Sequence, residues 1–97
     1  MPLYVIEREF ADQLETKRES FEGVIRANGI VGVEWLFSFL SADRKKTYCL
    51  YEASSPEAIR DAARLAGIPA DAVIEVTELR PETYGFPAGR STVLKAR

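Results

Sequence analysis

Three glutamates lie in segments rich in β-forming residues, and they are the side chains best suited to bind a cation or a polar ligand. Glu7 lies in Y-V-I-E-R, Glu52 in K-T-Y-C-L-Y-E-A, and Glu75 between Val73 and Thr77. Neighbouring strands are only about 4.8 Å apart, so Glu7 and Glu52 on adjacent strands would be close enough to share a divalent cation. The residues therefore predict a metal or ligand site, with Glu7 and Glu52 as the metal-binding pair.

A simpler interpretation places the same acids at the rim of a sheet, solvated or paired with basic neighbours. The basic candidates are Arg8, Lys45 and Lys46. Surface ion pairs of this kind are common and require no ligand. The residues alone leave both interpretations open.

The chain contains no histidine, which removes the commonest transition-metal ligand and the side chain best suited to proton transfer near neutral pH. The single cysteine, Cys49, therefore has no histidine to activate it. A thiol in the middle of a strand usually packs as a small apolar residue. We do not expect Cys49 to be catalytic.

Aromatic side chains accompany the glutamates. Trp35, Phe37 and Tyr48 are expected to share a sheet face with Glu52, and Glu75 to join them from the last strand. Aromatic residues in strands most often pack against other residues. Here they are expected to line a ligand face or a dimer interface.

The register of one hairpin decides which residues share that face, because a one-residue shift moves every side chain of a strand to the other side. An even loop of residues 42–45 sets Trp35 opposite Glu52. The same register gives two further pairs, Phe37 with Leu50 and Phe39 with Tyr48. An odd loop or a bulge would instead bring Glu34 and Ser38 to the face of Tyr48. We favour the even loop.

The elements that position these residues follow from the spacing of apolar side chains. Four segments of β character predict strands at residues 3–10, 30–40, 46–53 and 72–79. Helical spacing predicts helices at residues 12–28 and 56–66. This βαββαβ order is typical of the ferredoxin-like α+β fold. We expect a four-stranded antiparallel sheet in the order 4-1-3-2, with two helices on one face, within residues 1–79.

Residue types mark the ends of both predicted helices. Asp12 is the expected N-cap of the first helix and Gly29 its C-terminal stop. Ser54 or Ser55 would cap the second helix, and Gly67 would end it. Residues 80–97 are rich in proline and glycine and predict an irregular tail. That tail is expected to be loose or to dock on a second subunit.

Two helices on one side of a sheet leave its other face bare. Strands rich in tryptophan, phenylalanine and tyrosine cannot leave that face in water without a large apolar patch. A second copy is the economical cover, because a two-fold pairing needs only one self-complementary surface. The sequence therefore predicts a homodimer.

Composition argues against nucleic acid and membrane as partners. Thirteen basic and fifteen acidic side chains give a net charge of −2, which argues against nucleic acid. No apolar run approaches the roughly 20 residues that cross a bilayer, so we expect no membrane partner. One cysteine cannot form an internal disulfide, and the N-terminus lacks a signal-peptide pattern, so we expect the cytoplasm.

Several motifs resemble those of a small bacterial family of unknown-function domains whose characterised member is a nickel-binding protein. They are Y-V-I-E-R, W-L-F-S-F with S-A-D, K-T-Y-C-L-Y-E-A, S-P-E-A-I-R and A-G-I-P-A-D, and they cover roughly residues 3–78. The resemblance implies a ferredoxin-like dimer that binds nickel or a related divalent cation. No other cofactor pattern is present.

The chain departs from that family at two positions. Relatives often carry histidine at the position of Phe37 and another near Ala62, and this chain has neither. Nickel favours imidazole or thiolate, so a site made only of carboxylates would suit harder cations better. The resemblance thus also implies that metal binding has been lost here.

Two other functions stay open. Ferredoxin-like dimers include cofactorless oxygenases and isomerases that enclose a small aromatic substrate between helices and sheet, with Trp35, Phe37 and Phe39 as candidate walls. A closed apolar cavity would favour that function, and a shallow acidic rim would favour a binding protein. The remaining alternative is a dimerisation module without a ligand.

Overall fold

The computed structural model describes residues 1–87, which form a single four-stranded sheet with two helices. In chain order the elements are β1 (Leu3–Glu9), α1 (Arg18–Val31), β2 (Glu34–Leu40), β3 (Lys46–Glu52), α2 (Pro56–Ala66), β4 (Ala72–Val76) and a 3-10 turn (Pro81–Tyr84). The predicted order of strands and helices is confirmed. The 3-10 turn lies in the tail predicted to be irregular, and residues 88–97, with the rest of that prediction, lie outside the described residues.

The sheet has the strand order β2-β3-β1-β4, which is the predicted 4-1-3-2 read from the other edge. Every neighbouring pair is antiparallel. The ferredoxin-like α+β fold is therefore confirmed. β1 and β3 lie at the centre of the sheet, so the side chains of these two strands are the best placed to form a site.

The core lies between the sheet and the two helices. Tyr4 and Ile6 of β1 are buried on the helix side, as the predicted alternation requires. Tyr51 of β3 joins them, and α2 covers them with Ile59 and small residues such as Ala62. The small side chains let α2 approach the sheet closely. Both helices pack on this one side.

Both ends of α2 are as predicted. The Ser55 hydroxyl oxygen accepts a hydrogen bond of 3.2 Å from the backbone N–H of Ala58. Pro56 occupies the first turn, where its missing N–H costs nothing. Gly67 ends the helix with φ of 69°, in the left-handed region that glycine adopts without strain.

The predicted bounds of α1 are wrong. The helix begins at Arg18 instead of following Asp12, and it continues through Gly29 to end at Gly32, whose φ is 85°. Residues 10–17 form a loop that packs on the hairpin turn, where the N–H of Leu14 donates to the carbonyl of Arg44 over 2.7 Å. These contacts take the backbone donors and acceptors that a longer helix would need.

The predicted hairpin register is correct in one half of β2 and wrong in the other. Phe37 lies opposite Leu50, and Phe39 lies opposite Tyr48, as expected. A bulge at Leu36 then shifts the remaining pairs, so that Trp35 faces Tyr51 and Glu34 faces Glu52. An extra residue in one strand reverses the side to which the preceding residues point. Trp35 therefore lies on the helix side of the sheet.

The other strands are shorter than predicted. β2 begins at Glu34 instead of residue 30, because α1 occupies the preceding residues. β4 ends at Val76 instead of residue 79. The ends of β1 and β3 differ from the predicted bounds by a single residue each.

Candidate functional site

The face of the sheet that points away from the helices is largely apolar, and no element within residues 1–87 covers it. We call it the open sheet face. It consists of Leu3, Val5, Glu7, Glu9, Glu34, Phe37, Phe39, Lys46, Tyr48, Leu50, Glu52, Ala72, Ile74 and Val76. Phe39 is 67% exposed and Ile74 is 55% exposed. Phe37 and Phe39 contact each other edge to face, with ring centroids 5.6 Å apart. An aromatic patch of this kind is typical of an interaction surface.

Glu7 and Glu52 lie on this face, as predicted, but at opposite ends of it. Glu7 pairs with Tyr48, whereas Glu52 pairs with Leu3. Four residues of β1 separate these positions, which corresponds to about 13 Å at the rise of a strand. Within one protomer, the two carboxylates therefore lie too far apart to bind the same cation directly.

Each glutamate has other neighbours. A carboxylate oxygen of Glu7 lies 2.9 Å from Lys46 Nζ. The hydrogen bond to Glu7 and the charge of its carboxylate raise the pKa of Lys46 above its ordinary value. At the other end, Glu52 lies opposite Glu34, another acid. The interpretation of Glu7 as part of a surface ion pair matches this geometry.

The prediction that Glu75 joins the open sheet face is wrong. Glu75 pairs with Tyr4, whose side chain points to the helices, so Glu75 lies at the rim of the helix side. Burial raises the pKa of the Tyr4 hydroxyl, and the charge of Glu75 adds to this increase. Strand alternation explains the placement, because Val73 of the same strand packs against the core.

The described residues do not fit a nickel ion. Within residues 1–87, no three side chains among His, Cys, Asp and Glu lie close enough together to hold a metal. The chain has no imidazole, and its one thiol, Cys49, is buried on the helix side. Nickel prefers nitrogen or thiolate donors, so the carboxylates of the open sheet face are poor ligands for it.

The bulge at Leu36 gives Trp35 a place in the interior between the sheet and α1. Its ring centroid lies 5.7 Å from that of Phe21 on α1. Its indole N–H donates a 2.8 Å hydrogen bond to the Ser38 hydroxyl oxygen. This bond satisfies the one polar group of the indole, so its apolar surface can face a cavity.

A partly open cavity of about 280 Å³ lies beside Trp35, bounded by the sheet, α1 and residues 10–17. Its apolar walls include Leu14, Phe21 and Val24. The remaining lining residues are Arg8, Phe10, Thr16, Ser20, Trp35, Ser38, Leu40, Thr47, Cys49, Tyr51 and Ile68. Ligand pockets of proteins begin at about 300 Å³, so this volume suits a small organic molecule.

Arg8 brings a positive charge to the sheet side of this cavity. Only 4% of Arg8 is exposed. Its Nη1 donates a 2.5 Å hydrogen bond to the carbonyl oxygen of Pro69, and its guanidinium carbon lies 5.8 Å from the ring centroid of Tyr51. None of the ion pairs among residues 1–87 includes Arg8.

Tyr51 lies beside Arg8 and is kept neutral by its surroundings. Its hydroxyl oxygen accepts a 3.3 Å hydrogen bond from the Asn28 side-chain amide. Burial raises the pKa of Tyr51 above 10.0, while the Asn28 hydrogen bond and the charge of Arg8 act in the opposite direction with smaller effect. A neutral hydroxyl can donate a hydrogen bond, but it is a weak base.

The sequence suggested a pocket between helices and sheet, with Trp35 in its wall, only as an alternative, and it did not single out Arg8 as a lining residue. The alternation of β1 already places Arg8 on the same face as Tyr4 and Ile6, so a charge on the core side was the available signal. Phe37, predicted as a ligand-face residue, and Tyr48 do lie on the open sheet face. The cavity itself depends on α1 and residues 10–17, whose positions the residue pattern did not indicate.

Comparison with known proteins identifies the family. The fold and its uncovered face define a small ferredoxin-like domain. A family model described as nickel responsive protein SCO4226-like matches residues 4–76, about three quarters of the chain. The chain therefore belongs to this family, which confirms the resemblance seen in its motifs.

A solved structure supports the fold. The crystal structure of SCO4226 from Streptomyces coelicolor A3(2) is similar, with a TM-score of 0.63 and 18% sequence identity. The match covers 79% of this chain and 98% of that one. At this identity the similarity concerns the fold alone. No curated protein matches the chain significantly, and no helix in residues 1–87 is long and apolar enough to cross a bilayer.

We predict that Ni²⁺ binds this chain no better than it binds isolated surface carboxylates, because the described residues provide no imidazole or clustered donors. Isothermal titration calorimetry of the full chain with Ni²⁺ should show no saturable heat at micromolar metal. Mg²⁺ serves as the comparison ion. A stoichiometric nickel isotherm that disappears in Glu52→Gln would contradict this prediction.

Tyr51→Phe should lower the free energy of unfolding near neutral pH by roughly 1–3 kcal/mol, because the buried Asn28 amide loses its acceptor. The raised pKa of Tyr51 stabilises the fold fully below pH 10.0, the ordinary value, and this stability is lost as pH rises through the folded-state pKa. The difference between wild type and variant should therefore shrink above pH 10.0. Urea unfolding across pH measures it, with the exposed Tyr84→Phe as control.

Proposed function

We propose that this chain is a homodimeric binding protein that holds a small apolar organic molecule in the cavity between its sheet and α1. The cavity is the observation that supports this proposal. Its walls combine aromatic and aliphatic side chains with a few polar groups, which is the usual composition of a ligand site. Nickel is not the ligand that the described residues favour, although the family description names a nickel response.

The open sheet face supports the homodimer. Phe37, Phe39 and Ile74 are each at least half exposed there. Phe37 on β2 and Ile74 on β4 lie at the two edges of the sheet, and Leu50 and Val5 continue the apolar row between them. Burying such residues stabilises an assembly by about 25 cal/mol for each Å² of apolar surface removed from water. A second copy offers the same surface, so the two faces can cover each other. Glu34, Glu52 and the Glu7–Lys46 ion pair would form the polar rim.

A cofactorless oxygenase or isomerase that acts on a small aromatic substrate is the second candidate. The cavity lies between helices and sheet with Trp35 in its wall, as that function requires. Phe37 and Phe39, the other expected walls, lie on the opposite side of the sheet. The residues lining the cavity include no carboxylate or imidazole. The raised pKa of Tyr51 keeps its hydroxyl protonated, so this group is poorly suited to accept a proton from a substrate. Binding is therefore favoured over catalysis.

We also propose that the protein acts in the cytoplasm without nucleic acid. Cys49 is a free, buried thiol, which suits a reducing compartment. A net charge of −2 provides no field that would attract phosphates.

Phe39→Asp should weaken the dimer at least about tenfold, because it places a charge within the apolar surface that the dimer would bury. Sedimentation velocity of wild type and variant measures the shift from dimer to monomer. Leu65→Glu is the matched control, since Leu65 is 60% exposed but lies on α2, away from the open sheet face. A wild type that is monomeric at high protein concentration would refute the homodimer.

Ligand binding can be followed by Trp35, the only tryptophan of the chain. Hydrocinnamyl alcohol, a neutral molecule of suitable size, should change the Trp35 fluorescence in a saturable way. Val24→Phe should weaken this binding by filling the cavity, which Val24 lines. Ile25→Phe is the control, because Ile25 is exposed on the same helix. A wild type without any saturable response would contradict the proposed function.

A further inference from the structure

We propose that the ligand of the cavity is a small organic monocarboxylate, whose carboxylate binds Arg8 and whose apolar body packs against Trp35 and Phe21. This inference rests on the proposed binding function and names the chemical class of its ligand. It is carried by a buried positive charge that the described part of the protein leaves without a negative partner.

The burial of Arg8 is unusual for a charged side chain. Fully buried arginines are almost always paired with an acid, because an unpaired charge loses its hydration. Arg8 is 4% exposed, yet its hydrogen-bond partners in residues 1–87 are neutral oxygens, the carbonyl of Pro69 and the hydroxyl of Tyr51. The nearby Asp71 carboxylate instead accepts a hydrogen bond from the backbone N–H of Glu9. A bound anion would supply the missing charge.

The guanidinium still has donors to offer. It carries five N–H groups, and the carbonyl of Pro69 accepts from Nη1. Every fully buried side-chain nitrogen or oxygen in residues 1–87 has a partner, so any Arg8 nitrogen without one borders open space. The cavity is the open space that Arg8 lines. The planar guanidinium of Arg8 can donate two parallel hydrogen bonds to the two oxygens of a carboxylate.

Polar groups next to Arg8 would assist the same carboxylate. Thr47 lies directly opposite Arg8 in the β1–β3 pair and is buried. Tyr51 lies on the same side with a neutral hydroxyl. Both residues line the cavity. Neither carries a negative charge that would repel an anion.

The rest of the cavity selects an apolar body of limited size. Leu14, Phe21, Val24 and Trp35 offer hydrocarbon and aromatic surface. The volume of about 280 Å³ is too small for a nucleotide or a flavin. A single guanidinium balances a single negative charge. A short aromatic or aliphatic monocarboxylate satisfies all three conditions.

The test compares two probes of equal length and different charge, hydrocinnamate and hydrocinnamyl alcohol, by Trp35 fluorescence on the full chain at neutral pH. Hydrocinnamate should bind at least about tenfold more tightly, which is the usual effect of hydrogen bonds to a charged group. Its affinity should also fall more steeply with added salt.

Substitutions show which residue causes the preference for hydrocinnamate. Arg8→Met should abolish the preference for hydrocinnamate while leaving the alcohol bound, and Arg8→Lys should restore part of it. Arg60→Met is the control, since Arg60 is exposed on α2 and does not line the cavity. Unfolding curves show whether each variant folds. The comparison of the two probes on the wild type stands without any variant.

The outcomes separate the two proposals. Preference for hydrocinnamate that is lost in Arg8→Met but kept in Arg60→Met supports both. Equal binding of acid and alcohol, or a preference that survives in Arg8→Met, overturns the carboxylate assignment and leaves the binding function standing. Absence of binding by either probe overturns both and favours the dimerisation module.

Discussion

The cavity and the open sheet face both depend on the bulge at Leu36. Side chains of a strand alternate between two faces, so the extra residue separates Trp35 from Phe37 and Phe39. Trp35 then lines the cavity on the helix side, while the two phenylalanines lie on the open sheet face. Regular pairing would have placed all three aromatic rings on one side of the sheet and left the cavity without its indole wall.

The loop of residues 10–17 is the second determinant of the cavity. Arg44, in the turn between β2 and β3, has φ of 63°, and its guanidinium donates to the carbonyl of Leu14 and to the hydroxyl of Thr16. These bonds hold the loop against the hairpin and bring Leu14 to the cavity. Because the loop makes these contacts, α1 begins only at Arg18. The hairpin turn thus helps to form the cavity on the helix side of the sheet.

The charges of the molecule are divided between the two sides of the sheet. The open sheet face carries Glu7, Glu34 and Glu52 at its edges, with Lys46 paired to Glu7. The helix side holds Arg8, which has no acid within ion-pair distance in the described residues. Residues 1–87 therefore offer a cation no group of three ligating side chains, whereas they offer an anion a buried guanidinium.

The sequence by itself determined the fold class, the strand order, α2 with both of its ends, and the side of β1 that is buried. These features depend on local periodicity and on capping residues such as Ser55 and Gly67, which act within a few positions of the chain. The bulge, the start of α1 and the cavity were decided only by tertiary structure. The start of α1 and the cavity depend on contacts between segments about thirty residues apart. The bulge is a one-residue difference in strand pairing, which leaves no mark in the residue pattern.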